Sequence, residues 1–267
     1  MRRFLLLFAL APTLALAQAS VSTGGSYLEA RLIVGAARDG GTRDAGLVLR
    51  VTPGWKTYWR RPGEAGLAPV LDWSASANLA EVAVAWPRPI AFESFGATVL
   101  GYEGEVVLPL TLTPERPGAP IALALDASIG VCREICLLEE AALSREIAPD
   151  APGRDAAVID IARYTVPGSG ETTGVSLDAC RIEGAGEVRR LGATLALPPG
   201  AAEPTVVLEG PPGTRVEAPR LTREGEGRYA LDAELRVEDG AWVARSALVT
   251  TVFAGPVAAE IAGCAAG

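Results

Sequence analysis

Short runs in which apolar and polar residues alternate dominate this chain, and they limit it to a β fold. In the first half such runs occupy residues 27–36, 46–51, 81–86, 105–113 and 121–127, with Gly and Pro between them. Alternation at every second position gives a strand one apolar face. Strands this short and this closely spaced favour an immunoglobulin-like β-sandwich over a fold in which strands and helices alternate. Pro109 within one run predicts an edge strand, because proline cannot donate to a sheet.

The same pattern returns in the second half and predicts a second, smaller β-sandwich domain. The runs are at 174–182, 191–197, 205–209, 228–237 and 242–254. The segment between the halves has a helical pattern over 153–164, with apolar residues on one face and Pro- and Gly-containing stretches on both sides. We therefore expect an all-β protein with a first domain at 25–149, a helical linker at 150–172 and a second domain at 173–267.

The N-terminus has the features of a secretory signal peptide. Arg2 and Arg3 precede an apolar run that is too short to span a membrane. Small residues then place the cleavage site after Ala17, which defines a signal peptide at 1–17, or after Ala19. No later window is apolar enough for a transmembrane helix. We therefore expect a periplasmic protein with no membrane span of its own, in an oxidising compartment where disulfides persist.

Charge and composition exclude several classes of partner. The chain has 24 Lys and Arg against 32 Asp and Glu, a formal net charge of -8. Loss of two arginines with the signal peptide makes it -10. An acidic surface argues against nucleic acid and against an anionic membrane as partners. No glycine-rich segment has the strand-to-helix context of a phosphate loop, and we expect no cofactor.

Four cysteines remain after the signal peptide is removed, an even number in an oxidising compartment. Cys180 lies near the start of the second domain and Cys264 near its end. The first and last strands of a sandwich are often neighbours, so a structural Cys180–Cys264 disulfide is the natural pairing. Because it would close a long loop, such a bridge would stabilise the domain by about 4 kcal/mol in the chain-entropy model.

The other two cysteines, Cys132 and Cys136, are only four residues apart. In a regular strand they would be roughly 13 Å apart, and on a helix their Cβ atoms would still be too distant for a disulfide. A bond between them therefore requires a turn or the tip of a hairpin. It would close almost no loop, which favours reversible thiol–disulfide exchange over stabilisation. A local structural clip, or two buried apolar residues, is the alternative.

A metal site is a further alternative for this pair, because two thiolates can bind Cu(I) or half of a zinc site. However, the chain has no histidine, and its one methionine, Met1, is lost with the signal peptide. Zinc prefers four ligands, and an exported copper carrier without a single His or Met would be unusual. We therefore predict no metal.

Four segments resemble, in order, the N-terminal periplasmic domain of the DsbD family of disulfide reductases. They are GWKTYWRRPGEAGLAPVLDW (54–73), WPRPI (86–90), FGATVLGYEGEVVLPLTLTP (95–114) and VCREICLLEEAAL (131–143). The resemblance spans residues 27–147 and is greatest to the ScsB-type relatives linked to copper tolerance. The second domain resembles the extra β-domain that ScsB-type proteins carry.

This resemblance implies an immunoglobulin-like sandwich whose cysteine pair relays electrons from a thioredoxin-like or membrane-embedded donor to exported client proteins. Cys132 and Cys136 match the family's redox pair. Phe95 falls where the family has a cap loop that covers the pair, and Tyr102 lies in the adjoining segment. The expected activity is that of a thiol:disulfide interchange oxidoreductase, with thioredoxin-fold proteins and a DsbD- or ScsB-type membrane donor as partners. The alternative is a non-catalytic periplasmic binding module for copper or a partner protein.

The sequence also departs from the family. Leu138 replaces the family's common proline, and Ile129 and Gly130 replace the usual Trp-Leu before the first cysteine. The family usually continues into a transmembrane domain and a thioredoxin-like domain, whereas this sequence ends at Gly267. We therefore expect a relay that meets separate partner proteins.

Overall fold

The computed structural model describes residues 27–63, 65–94, 96–238 and 242–265, which form two β-sandwiches. The prediction of an all-β fold, with an immunoglobulin-like first domain and a second β-domain, is confirmed. The predicted signal peptide at 1–17 lies outside the described residues.

The first domain consists of two packed antiparallel sheets. Its described strands are β1 (Leu28–Ala37), β2 (Arg43–Val51), β3 (Lys56–Tyr58), β4 (Val70–Asp72), β5 (Glu81–Val84), β6 (Ile90–Ser94), β7 (Ala97–Glu103), β8 (Glu105–Thr113), β9 (Ile121–Cys132) and β10 (Cys136–Ile147). One sheet has the order β1-β2-β8-β5. The other has the order β10-β9-β3-β7-β6, with β4 also paired to β9.

Strand β9 shows how alternation builds the core between these sheets. Ile121, Leu123, Leu125, Ala127 and Ile129 are all buried, and the residues between them point to the other face of the sheet. β9 and β10 pair without a break from Ile121↔Ile147 to Cys132↔Cys136. The hairpin therefore has one core face and one outer face over its whole length.

The prediction that Pro109 marks an edge strand is wrong, because β8 lies between β2 and β5. Pro109 is tolerated because it lies opposite the end of β5, where its missing N–H costs at most one hydrogen bond. β5 ends at Val84, which pairs with Leu110. The Pro109 carbonyl still accepts a hydrogen bond from the backbone N–H of Ala85 at 2.8 Å.

The second domain is also a pair of sheets. Its described strands are β11 (Gly168–Ser169), β12 (Ser176–Glu183), β13 (Val188–Ala196), β14 (Thr205–Glu209), β15 (Thr214–Val216), β16 (Arg220–Gly225), β17 (Arg228–Val237), β18 (Val249–Ala254) and β19 (Val257–Ala262). One sheet has the order β12-β13-β17-β15, with β16 also paired to β17, and the other has the order β11-β19-β18-β14.

The strand predicted over 242–254 begins only at Val249. A 3-10 turn at Arg245–Ala247 interrupts the extended backbone. Val243 and Leu248 lie on either side of this turn, and both are buried in the core. Val243 and Leu248 are therefore core residues, as the alternating pattern predicts, but a turn separates them.

Helix α1 (Ala156–Arg163) follows the first domain and packs on it, and a short helix α2 (Gly170–Thr173) leads into the second domain. Ile159 of α1 is fully buried against Ile33 and Val48. Gly46 allows this approach, because a Cβ there would lie 2.9 Å from Ile33 and 3.3 Å from Ile159.

A buried carboxylate holds α1 in place. Asp44 of β2 has a side chain that is 4% exposed, and it accepts from Arg163 of α1 at 2.8 Å and from Arg38 at 2.6 Å. Arg38 also pairs with Asp160, but both side chains of that second pair are about half exposed.

The two domains meet where β3 ends. Trp59 and Arg60, which follow β3 directly, contact the second domain through Phe253 and Glu209, respectively. These contacts lie one and two residues beyond Tyr58, the last residue of β3.

We expect Asp44→Ala to lower the free energy of unfolding by about 2 kcal/mol, because it removes the buried carboxylate that accepts from both Arg163 and Arg38. Urea unfolding followed by tryptophan fluorescence measures the change. Asp160→Ala is the matched control: it removes an exposed partner of Arg38 and should change stability little. Equal losses in the two variants would contradict the assignment of Asp44 as the residue that docks the helix.

Candidate functional site

Cys132 and Cys136 lie at the tip of the β9–β10 hairpin and are bonded to each other. They are direct cross-strand partners, with their Cα atoms 4.1 Å apart. Arg133, Glu134 and Ile135 form the tip, where the N–H of Arg133 donates to the Ile135 carbonyl at 3.1 Å. The hairpin tip that the four-residue spacing requires is therefore present.

The cysteine pair lies on the outer face of the hairpin, away from the main core. Cross-strand partners share a face, and neighbours along a strand point to opposite faces. Val131 pairs with Thr57 and is buried in the core, so Cys132 points outward. Cys132 is nevertheless only 3% exposed, because it lies in a small cluster with Tyr58 and Val99. Cys136 is more accessible.

Two hydroxyl groups lie close to the two sulfur atoms. The Tyr58 hydroxyl is 3.2 Å from Sγ of Cys136, and the Ser94 hydroxyl is 3.8 Å from Sγ of Cys132. A disulfide sulfur carries no proton, so Tyr58 must be the donor to Cys136. Burial raises the pKa of Tyr58, which keeps its hydroxyl protonated at neutral pH.

Gly130 makes the position of Tyr58 possible. A Cβ at Gly130 would lie 2.9 Å from two ring carbons of Tyr58 and 2.8 Å from the Cβ of Leu67. A side chain there would push the Tyr58 ring away from β9. The departure from the family at this position therefore has a structural role in this chain.

Charges around the pair are of both signs. Lys56 is the cross-strand partner of Cys132, and so it shares the outer face. Its ammonium group lies 5.4 Å from the centre of the Phe92 ring. One basic side chain therefore belongs to the strand position beside Cys132. Arg133 and Glu134 at the exposed tip carry opposite charges.

The two residues predicted to cover the pair have different outcomes. Phe95 lies outside the described residues, although Phe92 and Ser94 of β6 do reach the pair. Tyr102 is the partner of Thr57, so it points into the core, and its hydroxyl donates to the Pro87 carbonyl at 2.8 Å. The structure therefore does not bring Tyr102 to the cysteines.

Cys180 and Cys264 are bonded within the second domain, with their Cα atoms 5.8 Å apart and 84 residues between them in sequence. Cys180 is fully buried in the core of that domain. Its backbone carbonyl accepts from the Arg245 guanidinium at 3.1 Å.

Sequence reasoning missed Tyr58, Ser94 and Lys56 as neighbours of the pair. Tyr58 and Lys56 belong to β3, which at three residues is too short to show an alternating pattern. The sequence offered one indication: Lys56 and Tyr58 are two residues apart, as on one face of a strand, in a segment that resembles the family.

Comparison with known proteins now identifies the first domain. Residues 29–147 match the family model described as "Thiol:disulfide interchange protein DsbD, N-terminal". The first domain is a DsbD N-terminal-like domain. Its cysteine hairpin lies within the matched residues, whereas the second domain lies outside them.

A solved structure extends the likeness of fold to both domains of this chain. The N-terminal periplasmic domain of ScsB from Proteus mirabilis has a TM-score of 0.63 and 23% sequence identity, and the match covers 91% of this chain and 95% of that one. Among curated proteins, none matches the sequence significantly.

The described residues bear on two further possibilities, a membrane span and a metal site. None of the helices there has the length and apolar character needed to cross a bilayer. In the same residues, His, Cys, Asp and Glu side chains form no group of three or more that could hold a metal ion.

We expect Tyr58→Phe to shift the equilibrium of the Cys132–Cys136 pair with glutathione towards the disulfide by about fivefold. The hydroxyl donates more strongly to a thiolate than to a disulfide sulfur, so its loss destabilises the reduced state more. Thiol alkylation and mass spectrometry measure the equilibrium. Tyr164→Phe, at a tyrosine that is 90% exposed, is the control and should give no shift. An unchanged equilibrium in Tyr58→Phe would show that the hydroxyl does not act on the sulfur.

Burial raises the pKa of Tyr58 and of Tyr102, and for Tyr102 the charge of Arg60 opposes the effect of burial. Unfolded tyrosine loses its proton near pH 10, below the pKa of these folded groups. Above about pH 10 the unfolded state therefore binds fewer protons, and stability must fall as pH rises. The contribution is fully present below that pH. We expect the urea concentration at the unfolding midpoint to fall as the pH rises from 10 to 11.5. It should fall less steeply with pH in Tyr102→Phe, whereas Tyr164→Phe should show the same pH dependence as the wild type.

Proposed function

We propose that this chain is a periplasmic thiol–disulfide exchange protein that relays two electrons through Cys132 and Cys136. The observation that carries the proposal is the geometry of the pair: the disulfide lies at a hairpin tip, has one accessible sulfur and has a hydroxyl donor at 3.2 Å. The match of residues 29–147 to a thiol:disulfide interchange family supports the same function.

The exchange proceeds in two balanced steps. A thiolate of a dithiol donor attacks Sγ of Cys136, the Cys132–Cys136 bond breaks, and Cys132 leaves as a thiolate that takes up a proton. The donor's second thiolate then attacks the mixed disulfide and releases Cys136. The donor is now a disulfide, and the pair holds two electrons and two protons. Transfer to a client disulfide repeats these steps in the opposite direction.

Burial assigns different roles to the two cysteines. Cys132 is 3% exposed and lies behind Tyr58 and Val99, whereas Cys136 begins the outer strand β10 and is more accessible. Attack on a disulfide requires the incoming sulfur to reach the target sulfur in line with the bond. We therefore assign the mixed disulfide to Cys136 and its resolution to Cys132.

The surface beside Cys136 favours a protein as the exchange partner. Ile135 is 59% exposed and Leu138 is 58% exposed, and Leu67 is also exposed next to Gly130. Leu138 shares the outer face with Cys136. Exposed aliphatic side chains grouped around a reactive bond are typical of protein interfaces, whereas a small thiol would need none of them.

The partners that fit this role are thioredoxin-fold proteins and a membrane electron donor of the DsbD or ScsB type. Export through the predicted signal peptide would place the pair in the compartment where these proteins work. Phe95 follows Ser94 in sequence, and the Ser94 hydroxyl lies 3.8 Å from Sγ of Cys132, so we assign Phe95 to a cap over the disulfide.

We assign a structural role to the Cys180–Cys264 disulfide. It crosslinks residues 84 apart, which in the chain-entropy model stabilises a fold by about 4 kcal/mol. Cys180 is buried, so an attacking thiolate cannot easily reach that sulfur.

A glutathione titration of the mature protein tests the proposal. The Cys132–Cys136 pair should titrate reversibly while Cys180 and Cys264 stay bonded, as read by alkylation and mass spectrometry. A pair that resists reduction by glutathione would be a structural clip. A pair that stays reduced and binds Cu(I) would favour the alternative, a periplasmic binding module.

Matched cysteine variants test the assignment of roles. With oxidised glutathione, Cys132→Ser should accumulate an adduct at Cys136, because no second thiol can resolve it. Cys136→Ser should react about tenfold more slowly, because Cys132 is buried. Intact-mass spectrometry over time measures both rates. Faster reaction at Cys132 would reverse the assigned roles.

A further inference from the structure

Three consecutive residues, Tyr58, Trp59 and Arg60, connect the cysteine pair to the second domain. Tyr58 contacts Cys136, whereas the next two side chains contact strands of the second domain. The family model ends at residue 147, so it does not include these partners.

Arg60 forms the polar half of this connection. Its Nε and Nη2 atoms both donate to one carboxylate oxygen of Glu209, at 3.0 and 2.8 Å. Nη2 also contacts Glu260 at 2.5 Å and Thr251 at 3.2 Å. The Arg60 side chain is 20% exposed and that of Glu209 is 13% exposed. Charge-assisted bonds with this little solvent are strong and directional.

Trp59 forms the apolar half. It is completely buried, and its ring meets Phe253 edge to face with the ring centres 5.6 Å apart. The Arg60 guanidinium lies 4.5 Å from the centre of the Trp59 ring. The five residues Trp59, Arg60, Glu209, Phe253 and Glu260 are called the interdomain clamp below.

Beyond Thr57, this end of β3 is paired to a neighbouring strand on one side only. The strand has three residues, and its described pairing to β9 involves only Lys56 and Thr57. On the other side Tyr58 pairs with Gly101, and Trp59 donates to the Leu100 carbonyl at 3.0 Å. The clamp begins one residue after Tyr58, so it limits how far the backbone of Tyr58 can move.

From these contacts we infer that the second domain positions the cysteine site: the interdomain clamp fixes the end of β3 and thereby holds the Tyr58 hydroxyl against Cys136. The inference rests on the proposed exchange function. Trp59 and Arg60 are positioning residues, since neither touches a sulfur. If the clamp is loosened, the Cys132–Cys136 disulfide should still form. The Tyr58 hydroxyl should then stabilise the reduced pair less.

A double-mutant cycle in the full mature chain tests the inference. Arg60→Gln should shift the glutathione equilibrium of the pair towards the disulfide by about two- to fivefold, in the direction expected for Tyr58→Phe. In the double variant Tyr58→Phe/Arg60→Gln the shift should be no larger than in Tyr58→Phe alone, because the clamp acts through the hydroxyl. Arg60→Lys, which keeps the charge but not the two-pronged bond, should be intermediate.

The matched control is Arg236→Gln. Arg236 also pairs with two glutamates, Glu217 at 3.3 Å and Glu234 at 2.7 Å, but both lie in the second domain. Its loss should leave the equilibrium unchanged. Phe253→Leu tests the clamp from the other side without changing a residue of the first domain, and it should shift the equilibrium as Arg60→Gln does. Thermal unfolding of each variant shows whether it is folded.

Failure of the proposed exchange function and failure of the positioning role would give different results. If the wild-type pair does not equilibrate reversibly with glutathione, the proposed function is wrong and the clamp has no exchange site to position. If the wild-type pair equilibrates but folded Arg60→Gln and Phe253→Leu match it, only the positioning role is wrong. Shifts that add in the double variant would show that Arg60 acts on the pair by a route other than Tyr58.

Discussion

The register of the β9–β10 hairpin determines the arrangement of the whole first domain. Twelve consecutive cross-strand pairs connect Ile121↔Ile147 to Cys132↔Cys136. A slip of one residue would turn every side chain of the slipped strand to the opposite face. The apolar residues of β9 hold the register because their burial would be lost by such a slip, and the same register places the two sulfur atoms opposite each other outside the core. Packing of the core therefore sets the geometry of the site.

The hairpin that carries the cysteines departs from the family pattern next to them. At the positions where the resemblance leads one to expect Trp-Leu, Ile129 enters the core and Gly130 leaves room for the ring of Tyr58. Where proline is common, Leu138 continues β10 and remains exposed beside Cys136. Gly130 and Leu138 are cross-strand partners, and the space that Gly130 leaves is filled by Tyr58 and Leu67.

Much of the fold could be predicted from sequence, because long strands with one buried face show a period of two. The runs that became β1, β2, β8 and β9 are examples. β10 was harder to detect: Leu137 and Leu138, followed by Glu139 and Glu140, break the alternation, although Glu139 is in fact buried. β3 could not be found from its three residues. Resemblance identified the cysteine pair, but Tyr58, Ser94 and Lys56 come together only through pairing between distant segments, which local pattern does not encode.

The two disulfides of this chain differ in how much of the polypeptide they constrain. Cys180 and Cys264 are 84 residues apart, whereas Cys132 and Cys136 are four apart and are already held side by side by the eleven other pairs of their hairpin. Opening the smaller ring therefore releases almost no chain entropy, and the neighbouring ladder has no reason to separate. The oxidised and reduced forms should then share one backbone. Under the proposed exchange function, donor and client would then meet the same surface, and electrons would pass between them without refolding in each cycle.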